Sequence, residues 1–458
     1  MTETWTGSGL ELPIALDRDG PGSLATRLRD ALREAVRAGR VRPGARLPST
    51  RTLAADLRLS RGTVVEAYRR LIAEGYFVAS GGSGTRVAAV GAAPPPPVPA
   101  RELRWDFRPS VPDLALFPRT AWSKTFVHTL RHVPDSAFGY GDPRGVLELR
   151  TELANYLRRV RDVRAAPDRI VVCSGFTQAL TLVCRVLAAR GEWAVESPGS
   201  TAAWARITGN GIHCRPVPLD DRGLSVDALA ATGAGVALVT PAHQFPTGVT
   251  LAPGRRAELL AWATAGGLVI EDDYDAEFRY DHEPIGALQG SAPERVIYAG
   301  SVSKTLAPSL RLGWLVLPGA LVDEVAEAKR LDDMGCPALD QHAFAHFLAS
   351  GAYDRHLRRA RRKYRSRRDV LVAELGKQLP RFRVRGIAAG LQAQVTLPDG
   401  LEERAIAEAA RKRGVGVYPL SDYLLDTGGA EQGLVLGYGR LSELEIAAGI
   451  ARLSDAVA

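Results

Sequence analysis

Cysteine is scarce in this chain of 458 residues, which has only Cys173, Cys184, Cys214 and Cys336. Their spacings match no Cys-x2-4-Cys ligand pair, which argues against a structural zinc. So few thiols in so long a chain also argue against a disulfide scaffold, and a reducing, cytoplasmic setting is expected. No uninterrupted apolar run of about 18 residues occurs, so no membrane span is expected. The start, MTETWTGSGLELP, lacks the basic and apolar regions of a secretory signal. No internal repeat is visible. Lysine is absent from residues 1–90, which carry 14 Arg against 9 Asp+Glu, a balance of +5 within a whole-chain charge of +8. About a fifth of the length thus holds most of the excess, and phosphate backbones attract such a module.

The length allows two to four domains at roughly 100–200 residues each. Residues 91–100, GAAPPPPVPA, hold five prolines and no charge. Such a stretch favours extended polyproline II and joins no packed core. A linker is therefore expected at 91–104, between a head at 12–90 and a body at 105–458. In the body, strand-like runs at 169–173, 236–240, 267–272, 295–300 and 313–318 alternate with helical stretches. That alternation predicts an α/β fold with a mainly parallel sheet.

In the head, Leu24, Leu28, Ala31, Leu32, Ala35 and Val36 recur at helical spacing. Ser49 is a plausible N-cap for a helix over 50–57, and Ser60 for one from Arg61 to about Glu74. Val64, Val65, Tyr68, Leu71 and Ile72 are expected on the buried face of that third helix, with Gly75 as its C-terminal stop. Tyr76–Val78, the turn Gly81–Gly84 and Thr85–Val87 read as a hairpin. Three short helices and a hairpin make the order of a winged helix-turn-helix. The third helix would present Ser60, Arg61, Gly62 and Thr63 to the major groove, while Arg51 and Arg86 clamp the backbone. The run from Gly44 to Tyr76, GxRLPSTRxLAxxLxxSRxTVxxAYxxLxxEGY, resembles the DNA-binding domain of GntR-family repressors. That resemblance implies operator DNA as a partner.

Several motifs of the body carry a chemical reading. Ser174-Gly175-Phe176-Thr177 follows a strand and opens a helix, where backbone N–H groups hold a phosphate. Asp272 ends an apolar strand, where a carboxylate pairs with a protonated pyridine nitrogen. Lys304 lies just past another strand and forms a Schiff base with an aldehyde when its amine is neutral. Ser301, Ser303 and Arg311 would complete the phosphate site.

This ordered set resembles the fold-type I aminotransferases, which bind pyridoxal 5′-phosphate, over roughly residues 105–455. The resemblance implies a smaller C-terminal α+β subdomain. It makes Lys304 the Schiff-base lysine, Asp272 the partner of the pyridinium and Tyr274 the contact of the ring hydroxyl. Ser174, Gly175, Phe176, Thr177, Ser301, Ser303 and Arg311 would surround the phosphate. Tyr140 is similar to the tyrosine that such homodimers extend to the partner's phosphate, and Arg440 to the arginine that binds a substrate carboxylate. No metal site and no catalytic residue in the strict sense are assigned. Two departures stand out. Phe245 occupies a place where aminotransferases usually carry asparagine, and it has no hydrogen to donate. Ser200 stands where the family usually has a ring-stacking aromatic, and the nearest aromatic is Trp204. Residues 201–203 supply no arginine of the kind that GABA-responsive relatives carry.

A GntR-like head on an aminotransferase-like body is the arrangement of the MocR regulators. The resemblance implies a transcriptional regulator that senses pyridoxal phosphate and a small amino compound, controlling vitamin B6 or amino acid metabolism. The alternatives are a working aminotransferase with an accessory DNA-binding domain and a regulator without its cofactor. Arg355 to Arg368 adds nine Lys+Arg in fourteen residues. That run reads as a solvated, ion-paired helix or as a surface touching DNA or the head.

Overall fold

The computed structural model describes Ile14, Leu16, Asp17 and residues 21–80, 84–88, 103–280, 285–426 and 431–457. The chain divides into two compact units, Met1–Arg101 and Glu102–Ala458. The expected linker lies outside the described residues apart from Leu103 and Arg104, and so do residues 81–83 of the expected turn.

In the first unit, helices α1 (Leu24–Arg37), α2 (Thr50–Asp56) and α3 (Arg61–Ala73) precede an antiparallel pair, β1 (Phe77–Ser80) and β2 (Gly84–Val87). All three helices begin with the same device. The hydroxyls of Ser23, Ser49 and Ser60 accept the N–H of Thr26, Thr52 and Thr63 at 3.2, 3.1 and 3.1 Å. Gly75, at φ +78°, follows the cap of α3 in the left-handed region that ends helices. Leu28, Leu32, Leu53, Val64, Tyr68, Leu71 and Phe77 form one core. Val65 and Ile72 were expected there but are 43% and 38% exposed. The apolar stripe runs instead through Val64, Ala67, Tyr68 and Leu71, as the i, i+3, i+4, i+7 spacing requires.

The second unit is built on an eight-stranded sheet. From edge to edge its strands are Ile170–Cys173, Gly313–Val316, Val296–Ser301, Leu268–Asp273, Val236–Val239, Trp193–Ser197, Cys214–Asp220 and Gly223–Leu224. The five consecutive strands from Val296–Ser301 to Cys214–Asp220 pair in parallel. Gly313–Val316 runs antiparallel to both its neighbours. Alternate residues feed two different cores: Val171, Val195, Ile270 and Ile297 enter one, while Ala194, Val239, Val269 and Val296 enter another. A sheet covered on both faces needs apolar side chains at both phases of the pleat, which is why these runs read as continuously hydrophobic.

The C-terminal part carries an antiparallel four-stranded sheet in the order Arg383–Arg385, Gln392–Thr396, Gly433–Gly437, Tyr418–Pro419. Helices Ala352–Gln378, Glu403–Lys412 and Glu443–Val457 accompany it. Near the start of the unit, Trp105–Asp106 pairs in parallel with Val415–Gly416. Among the described residues no helix is long and apolar enough to cross a membrane.

One buried ion pair fixes the end of the strand Leu268–Asp273. Arg161, the last residue of helix Leu147–Arg161, donates to both oxygens of Asp273 at 2.7 and 3.0 Å, and the Tyr298 hydroxyl donates to the same carboxylate at 2.6 Å. Both members are shut off from water, with side chains 2% exposed. Arg161→Leu leaves a buried carboxylate without its cation and is expected to cost about 3–5 kcal/mol in denaturant unfolding of the body. The double change Arg161→Leu with Asp273→Leu should cost less than the two single changes added together. Additive losses would show that the pair is not the stabilising unit.

Candidate functional site

The C-terminal ends of the parallel strands surround a cavity of about 380 Å³. Lys304, Asp272, Tyr274, Phe176, Thr177, Ser301, Ser303 and Arg311 all line it, although they are spread over 136 positions of sequence. Strand ends of an open α/β sheet converge in this way because each chain crosses back through a helix on one face or the other.

Gly175 stands at φ +81° between strand Ile170–Cys173 and helix Phe176–Leu187. A Cβ there would meet the guanidinium of Arg311 at 3.2 Å. Glycine therefore lets Arg311 lie along the loop, where it also donates to the Ser174 carbonyl. The first turn of that helix leaves N–H groups unpaired within the helix. With Arg311 and the hydroxyls of Thr177, Ser301 and Ser303, this end of the cavity is suited to a phosphate dianion.

At the other end, Asp272 makes no hydrogen bond or ion pair with any described residue. Burial and the neighbouring charge of Asp273 push its pKa well above the usual carboxylate range, against the opposing charge of Lys304. A buried, unpartnered carboxylate on a cavity wall fits a cationic ligand atom such as a protonated pyridine nitrogen. Lys304 Nζ donates to the Ser110 carbonyl at 2.6 Å. Burial lowers its pKa, with the charges of Asp275 and Asp272 opposing, and so favours the neutral amine that attacks an aldehyde.

Tyr274 belongs to a network that sequence reasoning did not assemble. Its hydroxyl accepts from Gln392 Nε2 at 2.8 Å and lies 3.0 Å from His243 Nδ1. His243 Nδ1 also lies 3.0 and 3.1 Å from the two oxygens of Asp275. An ionised Asp275 only accepts, so Nδ1 carries the ring proton. The one proton on Nδ1 faces both Asp275 and the Tyr274 oxygen, and the Tyr274 hydroxyl in turn hydrogen-bonds to Asp275, so histidine, tyrosine and aspartate form one closed cluster beside the cavity. Glu196 was missed as well. It lines the cavity and accepts from the Thr240 hydroxyl at 2.6 Å, the Thr240 N–H at 3.1 Å and Gln244 Nε2 at 3.2 Å. Burial pushes it up to about 7, against those hydrogen bonds. The available signal was an acid inside an otherwise apolar strand, WAVES.

The two departures from the aminotransferase pattern also meet here. Phe245 packs edge-on against Tyr274 and Tyr423, with centroids 6.0 and 5.4 Å away. Ser200 caps the helix Thr201–Gly209, and Trp204 from its first turn reaches the cavity wall. A Cβ on Gly199 would stand 3.0 Å from the Trp204 ring, so the glycine makes room for it.

Four expected site residues are not on the wall of this cavity: Ser174 and Gly175 directly precede Phe176, with the Ser174 hydroxyl 3.5 Å from Cys336 Sγ, and Arg440 and Tyr140 stand elsewhere. Arg440 follows the strand Gly433–Gly437 and turns away to pair with Asp106 at 3.3 Å, its side chain 48% exposed. Asp106 also receives the Tyr418 hydroxyl at 2.7 Å. Among the described residues, Lys304 and Arg311 are the only cationic side chains on the cavity wall. Tyr140 is 90% exposed, and it lines a shallow hollow with the exposed Phe138, Leu147 and Met334.

In the head, Ser60, Arg61 and Gly62 are exposed at the start of α3, and Thr63 is held by the Ser60 cap. Arg51 and Arg61 are exposed with no hydrogen bond or ion pair to a described residue. Several other head arginines are spent internally, Arg33 on Asp30 and Glu74, Arg69 and Arg70 on Glu66, and Arg37 on Tyr76, whereas Arg40, Arg42 and Arg58 are exposed and, like Arg51 and Arg61, have no side-chain partner among the described residues. Arg86 donates to the Gly44 carbonyl at 3.1 Å.

Residues 24–87 match the family of bacterial regulatory proteins described as gntR, and residues 117–429 match aminotransferase class I and II. The chain is 36% identical to the HTH-type pyridoxine biosynthesis transcriptional regulator PdxR of Corynebacterium glutamicum, over 98% of this chain and 99% of that protein. It is 32% identical to the probable rhizopine catabolism regulatory protein MocR of Rhizobium meliloti, over 97% of this chain and 95% of that one. Among solved structures, Pyrococcus horikoshii kynurenine aminotransferase in complex with PMP superposes with a TM-score of 0.72 at 28% identity, over 78% of this chain and 91% of that one. Aminotransferases of this fold normally bind pyridoxal phosphate. With a GntR helix-turn-helix ahead of a fold-type I body, and relatives of the same arrangement along the full length, the chain belongs to the MocR-type transcriptional regulators.

Proposed function

We propose that this regulator reads operator DNA through its winged helix and senses pyridoxal 5′-phosphate in the body cavity, without working as a transaminase. The observation that carries the reading is the cavity's charge inventory. The cavity pairs a lysine of lowered pKa with an unpartnered carboxylate, and its one arginine sits at the phosphate end. Bound there, pyridoxal phosphate would supply an aldehyde for Lys304 and a pyridine nitrogen for Asp272. Tyr274 would contact the ring hydroxyl. Phosphate contacts fall to Ser174, Gly175, Phe176, Thr177, Ser301, Ser303 and Arg311.

Among the described residues no further cation on the wall is left for an α-carboxylate, and Arg440 is engaged by Asp106 outside the cavity. That favours the cofactor itself as effector over an amino acid. Control of vitamin B6 synthesis follows in kind, and the similarity to the C. glutamicum pyridoxine regulator supports it. The same inventory disfavours turnover, since a transaminase must hold its substrate's carboxylate through the reaction. The exposed apolar patch around Tyr140 supports a homodimer in which that tyrosine serves the partner's cavity.

Lys304→Ala is expected to abolish the yellow absorbance that the purified chain gains with pyridoxal phosphate. The loss should be complete and not graded, since the bond is covalent. Asp272→Asn should keep the colour but weaken affinity roughly 10- to 150-fold, the value of a hydrogen bond to a charged group. A Lys304→Ala protein that still turns yellow would remove the lysine from its role. Keto acid accumulating over many cycles from added amino acids would favour the transaminase.

For the head, Arg61→Ala should relax base preference at one operator position by about 1–3 kcal/mol. Arg51→Ala should weaken binding to all sequences and lower its salt dependence. Gel shifts with operator-region and scrambled duplexes at two salt concentrations separate these effects. Unchanged binding in both variants would rule out α3 as the recognition element.

For assembly, the body alone, residues 102–458, should sediment as a dimer that still turns yellow with pyridoxal phosphate. A yellow monomer would contradict a shared site.

A further inference from the structure

The basic run at 355–368 folds into the helix Ala352–Gln378, and the helix sorts its charges into two sets. Those facing the protein are paired. Arg361 donates to the Glu277 carbonyl at 2.7 and 2.9 Å, Lys363 to both oxygens of Glu443 at 2.9 Å, and Arg367 to Asp113 at 2.7 Å. Tyr353, Leu357, Ala360, Tyr364 and Leu371 are buried between them. The helix is therefore held in place without its outward residues.

Arg358, Arg359, Arg362 and Arg365 form the other set. All four are exposed, and none has a hydrogen bond or ion pair with a described residue. At 100° per residue they fall within an arc of about 120°, and they span about 10 Å of axis. Between Arg355 and Arg368 the sequence has no carboxylate at all. Asp354, just before, is taken by Arg159 at 2.8 Å, which leaves Asp369 as the one acid beside the arc. Some exposed helical arginines elsewhere meet an acid one turn away, as Arg330 meets Glu327 and Arg452 meets Asp455, and none of these four does. Arg358 and Arg362, four apart, repel each other instead, which costs helix stability until an anion relieves it.

We propose that this outward face of the helix binds the phosphate backbone of duplex DNA. It is a second, sequence-independent contact in addition to the winged helix. Four unneutralised guanidiniums along 10 Å match a polyanion that presents one charge per about 3.4 Å of axis on each strand, and no base-reading geometry is needed. The proposal rests on the reading of this chain as a DNA-binding regulator.

The test uses the full chain and a 40-base-pair duplex of random sequence, with affinity measured by fluorescence anisotropy from 50 to 200 mM potassium chloride. Changing Arg358, Arg362 and Arg365 together to Ala is expected to lower the slope of log affinity against log salt by about 2.7, at 0.9 per phosphate contact. The affinity lost between the two salt limits then shrinks about 40-fold relative to the unaltered chain. A control triple, Arg190→Ala, Arg206→Ala and Arg411→Ala, removes the same charge from scattered exposed positions and should change the slope far less. Equal effects from the two triples, or an unchanged slope in the first, overturn the contact. A changed affinity at unchanged slope would mean that the face docks against protein, and it overturns the proposal too. If the unaltered chain binds no duplex at all, the DNA-binding reading itself fails.

Discussion

The clamp of Arg161 and Tyr298 on Asp273 is the interaction on which the cavity depends. Adjacent residues of a strand point to opposite faces. Asp273 is therefore driven into the body, where a guanidinium and a phenol satisfy it, and Asp272 is driven into the cavity, where no described side chain does. Two carboxylates side by side repel, and the charge of Asp273 contributes to the raised pKa of Asp272. One is stabilised in the fold, and the other is left needing a cation. The same strand end carries Tyr274 and Asp275, so three of the groups that shape the ring end of the cavity are positioned by one strand.

Much of this was legible in the sequence because the chemistry is written in contiguous motifs. A strand followed by SGFT, an acid ending an apolar run and a lysine four residues past another strand all have local signatures. The winged helix was legible for a similar reason, since each Ser-x-x-Thr cap is a local event. Long-range partnerships were not. His243 and Asp275 are 32 positions apart, and Gln392 is 118 from Tyr274, so the network that orients the tyrosine exists only after the sheet forms. Arg440 shows the same limit. The resemblance of its GlyTyrGlyArg segment implies a carboxylate ligand, and a pairing with Asp106, 334 positions earlier, is something no local motif announces. Val65 and Ile72 failed more simply: a window of five apolar residues was too generous for the single stripe that a 13-residue helix buries.

Arginine does three different jobs in this chain, and its environment tells them apart. Arg161 and Arg367 are buried and paired, so their charges hold elements together. Arg33, Arg69 and Arg70 neutralise nearby acids on exposed helices, where each pair is worth little. Arg51 and Arg61 stand exposed, without a side-chain partner among the described residues, at the face expected to meet DNA. Net charge alone does not separate these groups, and the pairing of each side chain does.

The contact between Lys304 Nζ and the Ser110 carbonyl bears on how a ligand's presence would be felt. A ligand shifts a conformational equilibrium only by the difference in its free energy of interaction with the two states. One that forms a bond to Nζ withdraws the donor that the Ser110 carbonyl now accepts. Ser110 sits at φ +58°, a conformation that a non-glycine residue keeps only when its surroundings hold it there. The stretch around it is tied at both ends: Trp105–Asp106 pairs with Val415–Gly416, and Asp113 is held by Arg367 and by the Tyr364 hydroxyl. Between those ties lies a short segment whose one contact to the cavity lysine is the contact that a covalent ligand removes. That segment follows directly on the linker in sequence.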